Sequence, residues 1–226
     1  MATEQERRTF EVEGLEVRGF EDGQQPAIHG YAIVFDSWSE VMTDSRGRPF
    51  RERFAPGAFD RALAANPDVR ALWNHNTDFP LGRVRNGTLH ILKDAQGIRF
   101  DLQPPDTSWG RDAIESIRRG DVSGVSFAFS TKREGGDTWE KPGGDGIAQR
   151  TVLDANLHEI SPVTFPAYGA TSVGLRSVDV PDFEDESDGR AAGEIDDNAQ
   201  AGRAAVQAQE RERRLRLLDL TLNTRG

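Results

Sequence analysis

Between residues 28 and 165 the apolar side chains come in short runs separated by Gly, Pro, Asn and Asp, and β-branched and aromatic residues are frequent within them. Residues 29–35, 69–73, 89–92, 98–102, 122–130, 150–157 and 160–165 read as strands on this pattern. Helical spacing is scarce. Residues 108–120 predict one helix, with Ile114 and Ile117 facing inward, Asp106 or Ser108 as its cap and Gly120 as its stop. Residues 54–63 predict a turn entering a second, short helix in which Phe59 and Leu63 share a face. A parallel sheet needs a long crossover between neighbouring strands, usually a helix, and this chain has few. The pattern therefore favours an α+β fold, a mainly antiparallel β-barrel or sandwich, over a doubly wound sheet.

Domain organisation follows from where the apolar runs stop. Residues 10–176 form the expected folded domain, preceded by a flexible N-terminus over 1–9. Asp94, Ala95, Gln96 and Gly97 suit a hairpin turn. Residues 134–146, rich in Gly, Asp and Lys around Trp139, read as a mobile hairpin loop. Residues 178–198 carry much charge and little to bury, so 177–200 is expected to be an acidic, disordered linker. Residues 201–226 are arginine-rich with Ala and Leu between the charges, which predicts an exposed helical tail or partner-binding arm.

The balance of residues excludes several function classes. A formal net charge of -10 argues against general nucleic-acid binding, which needs a basic face to meet phosphates. No apolar stretch approaches the ~20 residues that span a bilayer, and residues 1–8 lack the apolar core of a signal peptide. Cysteine is absent, which removes disulfides, thiolate metal sites and a thiol nucleophile.

One strand carries a polar residue in a telling place. On alternation, Ser123, Val125, Phe127 and Phe129 share one face of 122–130, while Val122, Gly124, Ser126 and Ala128 share the other. Ser126 thus has small neighbours and room for a base and a substrate backbone. Ser123 falls on the core face and Ser130 at the strand end. The segment is not the Gly-x-Ser-x-Gly elbow of α/β-hydrolases, because Ala128 stands where the second glycine belongs. Taken alone, Ser126 reads first as a sheet-edge serine that only hydrogen-bonds locally.

The chain has four histidines. His29 and His90 sit within strand patterns. His75 lies between two asparagines where a strand gives way to a polar loop, a position that carries a side chain toward a cleft. His158 and Glu159 stand together before Ile160. Strand parity puts Glu159 on the face of Leu153, Ala155 and Leu157, where a carboxylate needs a partner, and histidine is a natural one. Ser126, His75 and either Glu159 or His158 would then form a nucleophile, a base and a group that orients the base. No His-x3-His spacing points to a metal, and no cofactor is expected.

Taken in order, several segments resemble the prohead proteases of tailed bacteriophages, the serine peptidases of capsid maturation. They are Gly30-Tyr31-Ala32 leading into Phe35, Phe54-Ala55-Pro56-Gly57-Ala58-Phe59, and Leu72-Trp73-Asn74-His75-Asn76 followed by Leu81-Gly82-Arg83. Gly124-Val125-Ser126-Phe127-Ala128-Phe129 and Glu159-Ile160-Ser161-Pro162-Val163-Thr164-Phe165-Pro166-Ala167 complete the set. The resemblance implies a β-barrel with a few surrounding helices, similar to the herpesvirus assemblins. It implies Ser126 as nucleophile, His75 as base and Glu159 as third member, with His158 in reserve because the herpesvirus enzymes use a second histidine. It further implies that the partners are scaffold protein or the scaffold-like part of the major capsid protein, met inside the procapsid in the host cytoplasm. Self-cleavage is expected in or after residues 178–198, and a homodimer is in view because the herpesvirus enzymes dimerise. The competing expectation is a non-catalytic assembly protein of the same fold.

Overall fold

The computed structural model describes residues 5–11, 15–19, 25–164 and 178–183. Its strands, in chain order, begin with β1 (Glu6–Glu11), β2 (Glu16–Arg18), β3 (Ala27–Val34), β4 (Met42–Thr43) and β5 (Pro49–Phe54). Helix α1 (Asp60–Ala64) precedes β6 (Arg70–Trp73), β7 (Asn76–Arg83), β8 (Leu89–Lys93) and β9 (Gly97–Leu102). Helix α2 (Ser108–Arg118) leads to β10 (Gly124–Thr131), β11 (Asp137–Glu140), β12 (Ala148–Val152) and β13 (Ala155–Val163). Three sheets result, in the orders β1-β10-β13-β6-β7, β2-β3-β9-β8 and β11-β12-β5-β4. The pairings in the first two sheets, and that of β4 with β5, are antiparallel except between β13 and β6. The α+β, mainly antiparallel class holds, and the described strands form open sheets with no closed barrel.

Two compact units divide the chain: residues 1–38, 53–138 and 151–176, and residues 39–52, 139–150 and 177–226. The first contains the five-stranded sheet and β2-β3-β9-β8. Its core joins Ile28, Ile33, Phe100 and Leu102 to Val125, Phe127, Phe129 and Ile160. Phe54 sits among aromatic rings, with centroids 5.7 Å from Phe59, 5.4 Å from Phe127 and 5.1 Å from Phe129. Deleting that ring leaves a cavity beneath β10, so Phe54→Ala should cost about 3–5 kcal/mol. Chemical denaturation reads this directly, and an unchanged midpoint would contradict the packing described.

Local chemistry explains most boundaries. Thr107 caps α2, its Oγ1 accepting the Gly110 N–H at 3.3 Å, where the sequence suggested Asp106 or Ser108. Gly120, at φ +79, supplies the left-handed residue that ends the helix. In the hairpin between β8 and β9, Asp94 Oδ1 accepts the N–H groups of Gln96 and Gly97 at 2.8 and 3.0 Å. A Cβ on Gly97 would lie 2.0 Å from the Ile33 carbonyl oxygen, so only glycine fits there.

Three expectations need correction. Residues 6–9, read as a flexible terminus, form part of β1, which pairs with β10 from Glu6 opposite Phe129 to Glu11 opposite Gly124. The buried Arg8 donates to Glu6 Oε2 at 2.8 Å and lies over the Phe129 ring at 5.5 Å; that pairing lets a charged strand pack on the core. Residues 134–146, read as a mobile hairpin loop, contain β11. Residues 178–183, read as part of the acidic linker, are packed. In the second unit, Val180 is buried with Phe50 and Ala148, and Val178 and Phe183 pack on that cluster. Asp44 Oδ2 accepts the Val180 N–H at 3.1 Å, and Arg48 Nη1 donates to Asp182 Oδ1 at 2.7 Å. Residues 184–200 and the helical tail expected over 201–226 lie outside the described residues.

Candidate active site

Ser126 lies mid-strand on β10, opposite Thr9 of β1 and Ser161 of β13. Val125, Phe127 and Phe129 enter the core, so the alternation read from sequence puts Ser126 on the opposite face. Its hydroxyl is 2.7 Å from His75 Nε2 and 3.0 Å from the Arg8 carbonyl oxygen. One hydroxyl carries one proton, and these two acceptors share it.

His75 occupies a two-residue turn between β6 and β7, where Trp73 and Asn76 are paired. Asn74 and His75 have φ of 51 and 60, the left-handed values that tight hairpins of the I′ type require. Asparagine and histidine are among the non-glycine residues most often found in that conformation, which is uncommon for any of them. The turn is clamped to β13 and the residue after it. Asn74 N–H donates to the Pro162 carbonyl at 3.1 Å, Thr164 N–H to Asn74 Oδ1 at 2.8 Å, and His75 N–H to Ser161 Oγ at 3.3 Å. Such clamping holds a strained residue where the imidazole faces β10.

Glu159 reaches the same face through a bulge. Across from β10, Glu159 opposes Ala128 while Leu157 opposes Phe129, with a register shift between them. His158 is the extra residue. Leu157 and Ile160 both enter the core, so Glu159 leaves the apolar row that simple alternation assigned it and joins Ser126 and Ser161. Glu159 Oε1 lies 2.6 Å from His75 Nδ1 and accepts the Ser161 hydroxyl at 2.6 Å. Arg7 Nη2 is 3.9 Å from Oε2. Burial pushes this carboxyl up, but the hydrogen bonds from His75 and Ser161 and the charges of His75 and Arg7 outweigh it. The net position is below the usual glutamate value, so Glu159 is ionised near neutral pH.

These contacts fix the tautomer. A carboxylate accepts only, so Nδ1 carries the proton, and Nε2 of the neutral ring presents its lone pair to Ser126. The imidazole side chain is 18% exposed against 12% for the carboxylate, whereas Ser126 is 1% exposed. The ring is the open side of the group. An oriented base beside a hydroxyl and a buried anion behind the base is the arrangement that nucleophilic acyl transfer uses.

The two residues named for the third position make different contacts. His158 Nε2 is 2.8 Å from Ser130 Oγ, away from His75, and burial lowers its pKa. His29 pairs with Asp101 at 2.6 Å. Among the described residues, no three His, Asp or Glu side chains gather as a metal site, and no helix is long and apolar enough to cross a membrane. Sequence reasoning passed over Ser161 and Arg7. Ser161 had a readable signal: it is two residues from Glu159, hence on the same strand face. Arg7 had none, because its approach depends on β1 pairing across most of the chain.

Residues 13–186, most of the chain, match the family described as Caudovirus prohead serine protease. Among curated proteins, none matches the chain. The solved structure of the bacteriophage T4 capsid assembly protease, gp21, is similar over 71% of this chain and 97% of that one, at 13% identity and a TM-score of 0.43.

Proposed function

The chain belongs to the Caudovirus prohead serine protease family, and from that premise we propose that Ser126, His75 and Glu159 are its catalytic nucleophile, base and orienting acid. The observation that supports this reading most is the imidazole spanning Ser126 Oγ at 2.7 Å and Glu159 Oε1 at 2.6 Å. His75 Nε2 takes the Ser126 proton as Oγ bonds to the peptide carbonyl carbon. The imidazolium that forms is stabilised by Glu159 through Nδ1–H. Nε2–H then protonates the leaving amine as the C–N bond breaks. Water, deprotonated by His75, attacks the acyl-enzyme and releases Ser126.

The substrate is scaffold protein, or the scaffold-like region of the major capsid protein, cut inside the procapsid. Self-cleavage falls beyond Phe183, because Val178, Val180 and Phe183 are packed on the second unit and proteolysis favours segments free of such contacts. Co-expression with the scaffold and capsid proteins of the same phage tests the substrate, and intact-mass analysis of the protease alone tests self-cleavage. Shortened scaffold or capsid protein, and a protease truncated after residue 183, are expected. Full-length partners beside an active protease would contradict the substrate assignment. An intact C-terminus after long incubation would contradict self-cleavage.

A further inference from the structure

We propose that Ser161 is a positioning residue of this site, locking the backbone of His75 and the carboxylate of Glu159 to each other; the proposal rests on the catalytic roles given above. Ser161 is fully buried, and its hydroxyl meets two of those three residues at once. It donates to Glu159 Oε1 at 2.6 Å and accepts the His75 N–H at 3.3 Å. A hydroxyl has one donor and two acceptor sites, so both bonds form together.

Two consequences follow from that geometry. The carboxylate oxygen that receives His75 Nδ1 also receives Ser161, so its torsion is held before the imidazole needs it. The other hydrogen bonds that clamp the β6–β7 turn fall on Asn74, whereas Ser161 holds the peptide N–H of His75 itself. His75 is at φ 60, and a non-glycine residue relaxes from that region when its anchors are lost. Relaxation moves Nε2 away from Ser126, and small misplacements of reacting groups cost about 10²-fold in rate. A serine that only filled space would couple to neither group.

Ser161→Ala and the near-isosteric Ser161→Cys are compared with Ser161→Thr, which keeps a hydroxyl, using steady-state peptide hydrolysis across pH. In Ala and Cys, kcat should fall by about 10- to 100-fold while KM stays within about 2-fold. The acid limb of the pH profile should also move to higher pH. Its sign follows from Glu159, which loses one of the hydrogen bonds that lower its pKa and takes up a proton more readily. The charged groups facing it are unchanged: His75, Arg7 from β1, and Arg70 opposite it on β6, itself 3.5 Å from Asp68. The downfield resonance of the His75 Nδ1 proton should weaken or shift upfield in both variants, and Thr should restore rate and resonance. Cys decides the matter if Ala does not fold. Unchanged kcat, pH limb and resonance in the folded Cys variant, with Ser126→Ala inactive, would overturn the role of Ser161 alone. Activity surviving in Ser126→Ala would instead overturn the catalytic reading beneath it.

Discussion

Ser126→Ala is expected to lower turnover of a peptide substrate by roughly a millionfold, the scale seen when the nucleophile of a triad is removed. The fold should survive. Ser126 is 1% exposed in the middle of a paired strand, and alanine fits any position that serine occupies on a sheet. What is lost is one hydroxyl with its contacts to His75 and the Arg8 carbonyl, worth about 1 kcal/mol of stability. Circular dichroism and thermal melting should therefore resemble those of the wild type while hydrolysis falls to background. Substantial activity in a folded Ser126→Ala protein would remove the nucleophile assignment.

The next largest effect is expected at Glu159. A carboxylate behind the base fixes which nitrogen bears the proton; an amide need not. In Glu159→Gln the side-chain NH2 can donate to Nδ1, which pushes the ring proton to Nε2 and takes away the lone pair that Ser126 needs. Loss of the right tautomer alone costs about 10⁴-fold in kcat. His158→Ala is the matched control. His158 meets Ser130 rather than His75, so its removal should change hydrolysis by no more than a few-fold. Loss of activity in His158→Ala with Glu159→Gln active would reverse the two residues.

How far the sequence carries depends on whether a feature is local. The uninterrupted alternation of Val125, Phe127 and Phe129 made the face of Ser126 readable, because β10 itself has no irregularity. Ile114, Ile117 and Gly120 likewise marked α2 from within one short stretch. Glu159 was picked for a reason that fails in detail. Alternation put it in the row of Leu157, and the bulge at His158 turns it to the other face. A bulge is a property of the register between two strands, and nothing in 155–163 alone marks it. β1 was missed for a related reason. Its charged residues resemble a solvated terminus until Glu6 is seen pairing with Arg8 against β10. Val178, Val180 and Phe183 were hidden by the acidic residues around them, of which Asp182 meets both Arg46 and Arg48 in the second unit.

The strain at Asn74 and His75 shows how local and distant information combine. The sequence shows an asparagine entering a tight turn, which is ordinary hairpin chemistry. It does not show that the turn is held left-handed by Pro162 and Thr164 at Asn74 and by Ser161 at His75. Those anchors sit near the end of β13 and just past it, close to Glu159. The group that orients the base and the groups that hold its backbone thus lie within a few residues of one another.

Labelling with a small organophosphonate that phosphonylates activated serines, followed by peptide mapping, tests the central assignment most directly. The reagent needs a serine whose proton is taken by a neighbouring base, which is what His75 at 2.7 Å offers Ser126. A single adduct on the peptide containing Ser126 is expected, lost when His75 is replaced by alanine. An adduct on a different serine, or labelling of Ser126 that persists undiminished without His75, would contradict it.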